Sequence, residues 1–238
     1  MKDNFIIHKA ETRGSADLGW LQSRHTFSFG NYYDAERMSF GVLRVLNDDI
    51  VAPGKGFGTH PHHNMEIISI PLSGDLQHAD STGRNEIIKQ GDIQVMSAGT
   101  GIEHSEMNAN PNKEVQFLQI WIIPRVKDVQ PRYEQATMNP EDYQGKFGRI
   151  VSPTKHSIGV WVHQETWFYL GVFDKPLETS YQIKKKGNGV YVFIIEGGIR
   201  VEDFQLHKRD AIGIVDKSLM HFQIEANSTI LLMEVPME

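Results

Sequence analysis

Short apolar segments separated by turn residues are the feature that most restricts the fold of this 238-residue chain. Turn residues return about every 8 to 12 positions, a spacing typical of β-sandwiches and β-barrels. Helical periodicity is scarce, and short helices are predicted only at 16–23 and 140–146. The sequence therefore predicts an all-β fold with few short helices. Strands are predicted at 40–47, 64–72, 92–97, 115–123, 157–163, 190–196 and 229–235.

The chain also shows signs of an internal repeat. Each half contains a strand, a glycine turn at Gly74 or Gly197, and a further strand, followed by a second turn into another strand. The polar, proline-containing stretch at about 124–150 resembles an inter-domain linker. We therefore predict two tandem β-barrels, an N-terminal domain at 1–130 and a C-terminal domain at 131–238.

Composition excludes several classes of protein. The chain has no cysteine, so disulfide scaffolds, thiolate metal sites and cysteine nucleophiles are ruled out. A net charge of −6 argues against a nucleic-acid partner, and no apolar run is long enough for a membrane span or a signal peptide. The expectation is a soluble, cytoplasmic protein.

Two pairs of potential metal ligands occur at strand spacing. His60 and His62 flank Pro61, and His104 and Glu106 lie two positions apart in the same way. Residues i and i+2 of a strand share a face, with Cα atoms roughly 6.5 to 7 Å apart, so two imidazoles of such a pair can converge on one ion. Neighbouring antiparallel strands carrying both pairs would present three imidazoles and one carboxylate on one inward face.

A lone HxH sequence is more often not a ligand pair, but its context here is informative. The residues fit the two sequence motifs of cupins, with three departures: one extra residue before Gly74, Ser97 where proline is common, and a longer step from Gly99 to His104. The fold class that the motifs imply is a bicupin, with two jelly-roll-like barrels in one chain. The matching positions are Gly54, His60, His62, Glu66 and Gly74, then Gly91, Gly99, His104 and Asn108.

Three segments resemble the pirin family in particular. They are RHTFSFGNYYDAERMSFGVLRVLNDD at 24–49, HPHHNMEI at 60–67 and SAGTGIEHSEMN at 97–108. The resemblance is strong over about residues 1–125. It implies that His60, His62, His104 and Glu106 hold one divalent transition-metal ion, iron first, with zinc, nickel, cobalt, manganese or copper as alternatives. Glu66, a ligand in many other cupins, is then expected to form hydrogen bonds around the metal site rather than to bind the ion.

The resemblance also implies an activity. Certain bacterial pirins are quercetin 2,3-dioxygenases, which open the heterocycle of a flavonol with dioxygen and release carbon monoxide. The expected partners are then a planar aromatic flavonol and dioxygen, with Glu106 as the catalytic base. The alternative is a non-enzymatic metal-binding protein that regulates or binds a protein partner. A metal-free sugar-binding or isomerase cupin explains the four ligand-type residues poorly.

Two further expectations concern the surroundings of the site. Four phenylalanines near the motifs could line a slot for an aromatic substrate, although core packing is favoured for most of them: Phe27, Phe29, Phe40 and Phe57. In the C-terminal half, the positions equivalent to the ligands do not form a metal-binding set, so that barrel is expected to lack a metal. These positions are Ile183, Lys185, Phe222 and Ile224.

Overall fold

The computed structural model describes residues 4–238 and consists almost entirely of antiparallel strands. Its only α-helix among these residues is Pro140–Tyr143, and two short 3₁₀ helices lie at Ala10–Thr12 and Ala35–Arg37. No helix in this part of the chain has the length and apolar character needed to cross a membrane. The strands are β1 (Phe5–His8), β2 (Gly14–Asp17), β3 (Leu21–His25), β4 (Leu43–Val51), β5 (Gly56–His62), β6 (Glu66–Ser73), β7 (Leu76–Asp80), β8 (Asn85–Ile88), β9 (Asp92–Ser97), β10 (Ile102–Asn108), β11 (Val115–Ile122), β12 (Arg132–Thr137), β13 (Gly148–Ser152), β14 (Val160–Trp161), β15 (Trp167–Phe173), β16 (Leu177–Gln182), β17 (Asn188–Glu196), β18 (Gly198–Val201), β19 (Phe204–His207), β20 (Ala211–Ile214), β21 (Leu219–Ile224) and β22 (Ser228–Pro236).

The predicted all-β class is confirmed, and each predicted strand overlaps an observed one. The segment 157–163 was predicted too long, because only Val160–Trp161 is a strand. The helix predicted at 16–23 is wrong. Its residues belong to β2 and β3, which pair with each other across a turn in which Gly19 has a φ of 79°. Side chains of β3 alternate between buried and exposed, which is the two-residue period of a strand.

The N-terminal unit comprises Gly14–Met138 together with Thr154–Gln164. One of its sheets has the order β12-β9-β6-β11-β4-β3-β2, and the other has the order β5-β10-β7-β8. Two apolar clusters fill part of its interior: Leu21, Val51, Leu76, Ile88, Val115 and Phe117 in one, and Ile67, Met96, Ala98 and Ile102 in the other.

The C-terminal unit comprises Asn139–Pro153, Glu165–Glu238 and the described part of residues 1–13. One sheet runs β1-β20-β17-β22-β15-β13 and the other β16-β21-β18-β19. The first strand of the chain thus pairs with β20, and Asp210 accepts hydrogen bonds there from Lys9 Nζ at 2.7 Å and from the Ala10 amide at 2.9 Å. The predicted division at residue 130 assigns the residues before Gly14 to the N-terminal domain, whereas the structure assigns those of them that it describes to the C-terminal unit. The prediction could not include this pairing, because the sequence of a four-residue strand does not indicate which strand it pairs with.

The four C-terminal positions that the sequence offset matched to the metal ligands do not come together as a polar cluster. Phe222 and Ile224 are buried in the apolar core, and Ile183 packs against that core. Lys185 forms an ion pair with Glu165 through its ammonium group. The interior of this barrel at these positions is therefore held together by apolar contacts rather than by polar side chains.

We expect Phe222→Ala to lower the free energy of unfolding by about 3–5 kcal/mol, because a fully buried aromatic ring is replaced by a cavity. Chemical denaturation followed by circular dichroism measures the loss. His221→Ala is the matched control, since His221 is the exposed neighbour on the same strand and should change stability by no more than about 0.5 kcal/mol. Equal stability of the two variants would contradict this account of the core.

Candidate metal centre

Three histidines converge at one end of the N-terminal unit. His60 and His62 lie on β5, and His104 lies directly opposite His60 on β10. The ring centroids are 4.5 Å apart for His60 and His104, and 4.8 Å apart for the other two pairs. One ligand nitrogen from each ring lies within 4.8 Å of the others. Strand alternation on β5 thus places His60 and His62 together, as their spacing predicts.

The hydrogen bond of His60 decides which of its two ring nitrogens can bind a metal ion. His60 Nδ1 lies 2.7 Å from the carbonyl oxygen of Gly58, which can only accept a hydrogen bond. Nδ1 must therefore carry the proton when the ring is neutral, and Nε2 keeps a lone pair for a metal ion. A backbone carbonyl in this position is a common way to fix a metal-binding histidine.

The environment of the cluster favours the neutral form of two of its imidazoles, those of His62 and His104. Burial, and then repulsion from His60, lowers the pKa of His62 to about 4. Burial and the neighbouring His60 and His62 lower the pKa of His104 to about 2, although Asp80 acts in the opposite direction. The Nε2 atom of His104 is buried and has no hydrogen-bond partner among the described residues. Neutral, converging imidazoles with an unpartnered nitrogen fit a divalent transition-metal ion.

Glu106 lies on the same strand as His104, past a register shift that places it opposite Phe57. Its side chain is buried, and its two oxygens accept hydrogen bonds from Ser69 Oγ at 2.7 Å and from the Gln119 amide. Burial raises the pKa of Glu106, and the contacts with Ser69 and other neighbours oppose the rise. Glu106 is not among the three residues whose ligand atoms cluster, so its place in the ligand set stays a prediction.

Polar residues in register cross the interior of the large sheet beside Glu106. Paired residues of antiparallel strands share a face, so the contacts of Ser69 and Gln119 with Glu106 orient the whole row inwards. All members of the row are buried. We call it the polar belt: His25, Asn47, Gln119, Ser69 and Gln94, on β3, β4, β11, β6 and β9. The polar belt lies between the two apolar clusters, and it forms a polar surface beneath the site that we call its floor.

Asp49 extends this floor by one position along β4. It lies two residues after Asn47, pairs with Ser23 in the sheet, and is buried. Burial raises its pKa to about 7, with Ser23 opposing the rise and the nearby carboxyls of Glu106 and Asp48 adding to it. A second carboxyl group, unforeseen from the sequence, therefore lies close to Glu106.

A further histidine lies behind His104. His78 on β7 is fully buried, and its Nδ1 is 3.5 Å from Nδ1 of His104. The other nitrogen of His78 hydrogen-bonds Asp80 Oδ2 at 2.8 Å. Sequence reasoning missed both residues, although they form an i, i+2 pair just like those of the ligands.

Uninterrupted strand alternation would put Glu66 on the same face as His62, but Glu66 is not among the residues whose ligand atoms cluster. The chain turns between β5 and β6 at Asn64, whose φ is 49°, and this turn interrupts the strand. Glu66 is buried and hydrogen-bonds His163 Nδ1 at 2.9 Å and Ser97 Oγ at 2.8 Å. Among the described residues it therefore stabilises the segment that contains His163.

The phenylalanines divide between core and site. Phe27 and Phe40 are buried in the core, as favoured from the sequence. Phe29 packs edge-on against Trp121 at 5.4 Å between ring centroids, and Trp121 in turn lies 4.9 Å from His62. The indole nitrogen of Trp121 is buried without a hydrogen-bond partner among residues 4–238. Aromatic rings thus border the histidine cluster on one side.

The two β-barrel units and the single histidine cluster found among the described residues define the chain as a bicupin with a candidate metal centre in its N-terminal unit. The Pirin family model matches residues 7–122, and the model of the quercetinase C-terminal cupin domain matches residues 149–235. Quercetin 2,3-dioxygenase of Escherichia coli K12 is 38% identical over 230 residues, which are 97% of this chain and 98% of that protein. This chain belongs to the pirin family.

Other relatives agree with this placement. A pirin-like protein of Caulobacter vibrioides is 35% identical over 221 residues, covering 93% of this chain and 95% of the relative. The crystal structure of YhhW from E. coli matches with a TM-score of 0.93 at 37% identity, covering 98% of this chain and 97% of YhhW. The bacterial pirin YhhW in complex with nickel(II) matches with a TM-score of 0.92, covering 98% and 99% of the two chains.

We expect the protein to hold about one equivalent of a divalent metal, and His60→Ala/His104→Ala to lose it, because the double variant removes two converging imidazoles. Elemental analysis of the purified proteins measures the content. His207→Ala is the control, since His207 is exposed in the C-terminal unit. Full metal retention in the double variant, or loss in the control, would exclude this centre.

Asp49→Asn is expected to stabilise the metal-free protein increasingly as the pH rises from about 4 to about 7. The folded pKa of about 7 lies above the ordinary value of 3.8, so the native state binds the extra proton and the wild type loses stability over this range. A tenfold difference in proton affinity between the folded and unfolded states corresponds to about 1.4 kcal/mol of stability. Denaturation at several pH values tests this, with the exposed Asp203→Asn as control. A stability difference independent of pH would contradict it.

Proposed function

We propose that the chain binds one divalent transition-metal ion through His60, His62, His104 and Glu106 and acts as a dioxygenase on flavonols of the quercetin type. The observation that carries the proposal is the juxtaposition of three converging imidazoles with a buried carboxyl group on neighbouring strands. Iron is the first candidate for the metal. The nickel complex of the related YhhW supports a transition metal without deciding its identity for this chain.

When bound, the ion would supply the Lewis-acid and redox chemistry that dioxygen and an aromatic enol require. Glu106 would accept the proton of the flavonol 3-hydroxyl at a carboxylate oxygen. Its burial favours the protonated carboxyl, so it can keep that proton away from water. Ser69 and Gln119 fix the orientation of the carboxylate by donating to both of its oxygens.

An open cleft borders the cluster at His62. It has a volume of about 420 Å³ and is bordered by His62, Ile102 and other residues at the ends of β5 and β10. Pockets for drug-sized ligands usually have volumes of roughly 300–1,000 Å³. The aromatic side chains of Phe29 and Trp121 beside His62 support a planar aromatic substrate.

The names of relatives support the same activity. The E. coli relative that aligns over 98% of its length is called quercetin 2,3-dioxygenase. The alternative, a metal-binding protein that acts through a protein partner, predicts metal binding without oxygen uptake. Oxygen consumption by the metal-loaded protein with quercetin therefore discriminates between the two functions.

We expect Glu106→Gln to keep metal and flavonol but to lower oxygen uptake at least about tenfold, because a positioned general base typically contributes about 10² to 10⁴ in rate. The amide keeps the shape of the side chain, and the Gln119 amide can turn over to match it. An oxygen electrode, with quercetin and proteins at equal metal occupancy, measures the rates.

Glu114→Gln is the control, since Glu114 is exposed just before β11 and should leave the rate unchanged. Equal rates for Glu106→Gln and wild type would remove Glu106 as the base. No uptake by wild type with any of the candidate metals would favour the metal-binding alternative.

A further inference from the structure

A continuous line of buried polar side chains leads from the histidine cluster to a surface turn. His104 Nδ1 faces His78 Nδ1 at 3.5 Å, and His78 Nε2 faces Asp80 Oδ2 at 2.8 Å. The side chains of His78 and Asp80 are both fully buried. The sheet register explains the alignment, because β7 and β10 are neighbours and Asp80 lies directly opposite His104.

Asp80, at the surface end of this line, is fixed by hydrogen bonds from a turn. Asp80 Oδ1 accepts hydrogen bonds from the Thr82 amide at 2.8 Å and the Thr82 hydroxyl at 2.6 Å, within the turn that joins β7 to β8. Burial by itself would raise the pKa of Asp80, but the hydrogen bonds from Thr82 and His78 keep that pKa below its ordinary value. Asp80 is therefore a fixed anion that accepts a hydrogen bond from His78.

The hydrogen bonds between His104, His78 and Asp80 can run in only one direction, from His104 to Asp80. A carboxylate only accepts, so His78 donates through Nε2 and its neutral ring keeps a lone pair on Nδ1. That lone pair accepts from Nδ1 of His104, which must carry the proton. Nε2 of His104, the buried nitrogen without a partner among the described residues, is then the one with a lone pair directed at the cluster. Both His60 and His104 are thus fixed in the tautomer that a metal ion requires.

The surroundings keep His78 in place. The ring of Tyr133 lies 4.8 Å from that of His78, and Tyr133 donates its own hydroxyl proton to Gln135 Oε1 at 2.7 Å. The packed ring limits rotation of His78, whose side chain is fully buried. A mobile or hydrated His78 could not impose a tautomer on His104.

We infer that His78 and Asp80 are positioning residues that hold His104 for metal binding through a directed chain of hydrogen bonds. The inference rests on the metal-binding part of the proposed function and does not depend on dioxygenase activity. Partners of this kind behind a metal-bound histidine typically contribute about 10- to 100-fold in metal affinity.

The first test measures zinc affinity by competition with a chromophoric chelator. We expect His78→Phe to weaken zinc binding by about 10- to 100-fold, since phenylalanine fills the space but cannot accept from His104. His78→Gln should recover most of the affinity, because its amide oxygen can accept from His104 while its nitrogen donates to Asp80. Asp80→Asn should fall between these two variants.

Tyr181→Phe is the matched control. It removes the buried hydrogen bond of 2.6 Å from Tyr181 to Glu234 in the C-terminal unit, so it lowers stability without touching the centre. Its zinc affinity should equal that of wild type. Should His78→Phe fail to fold, Asp80→Asn carries the test, since it changes only one atom of the chain of hydrogen bonds.

The second test reads the tautomers directly. In zinc-loaded protein labelled with ¹⁵N-histidine, long-range ¹H–¹⁵N correlation spectra should show a protonated Nδ1 and a zinc-bound Nε2 for both His60 and His104. In His78→Phe the Nδ1 proton of His104 should exchange rapidly with water. The corresponding proton of His60, donated to Gly58, should persist and serves as the internal reference.

These experiments distinguish a failure of the positioning role of His78 and Asp80 from a failure of the proposed function. Unchanged zinc affinity in His78→Phe and Asp80→Asn, or a His104 Nδ1 proton that persists in His78→Phe, would overturn the positioning role alone. No zinc binding by wild type would overturn both this role and the metal-binding part of the proposed function. Normal zinc binding without oxygen uptake would leave the positioning role standing and reject only the dioxygenase.

Discussion

The candidate centre depends on bringing three imidazoles close together inside a β-barrel. Burial and mutual repulsion lower the pKa values of His62 and His104, so that protons compete weakly for the nitrogens that would bind a metal ion. The sheet register supplies the proximity, because His60 and His104 lie directly opposite each other on β5 and β10. The buried Nε2 of His104 has no hydrogen-bond partner among the described residues, which makes the cluster difficult to explain as packing alone.

The interior of the N-terminal unit is unusual for a protein core because polar side chains cross it between two apolar clusters. Ser69 and Gln119 satisfy Glu106, and Asp49 adds a second carboxyl group with a raised pKa. Buried polar groups are costly unless they are hydrogen-bonded, so this floor stabilises the fold less than an apolar interior would. The contacts of this floor with Glu106 indicate that the polar interior serves the site rather than the barrel.

The two-residue period of β-strands explains how far the sequence could be interpreted. It placed His60 with His62 and predicted the strands around them, because these features depend only on local alternation. It failed for Glu66, where a left-handed residue at Asn64 interrupts the strand, and for 16–23, where two short strands look like one helix. It would have found His78 and Asp80 as an i, i+2 pair, but their relation to His104 depends on which strand lies beside β10.

The sequence by itself determined the β class, the pairs of potential ligands and the family, because each is encoded in local spacing and residue type. Tertiary structure decided which strands are neighbours, and therefore that His104 meets His60, that Ser69 and Gln119 meet Glu106, and that β1 pairs with β20. Strand pairing brings together residues far apart in the chain, and no local pattern specifies it. The pKa values follow from the same cause, since burial and neighbouring charges exist only once the strands have paired.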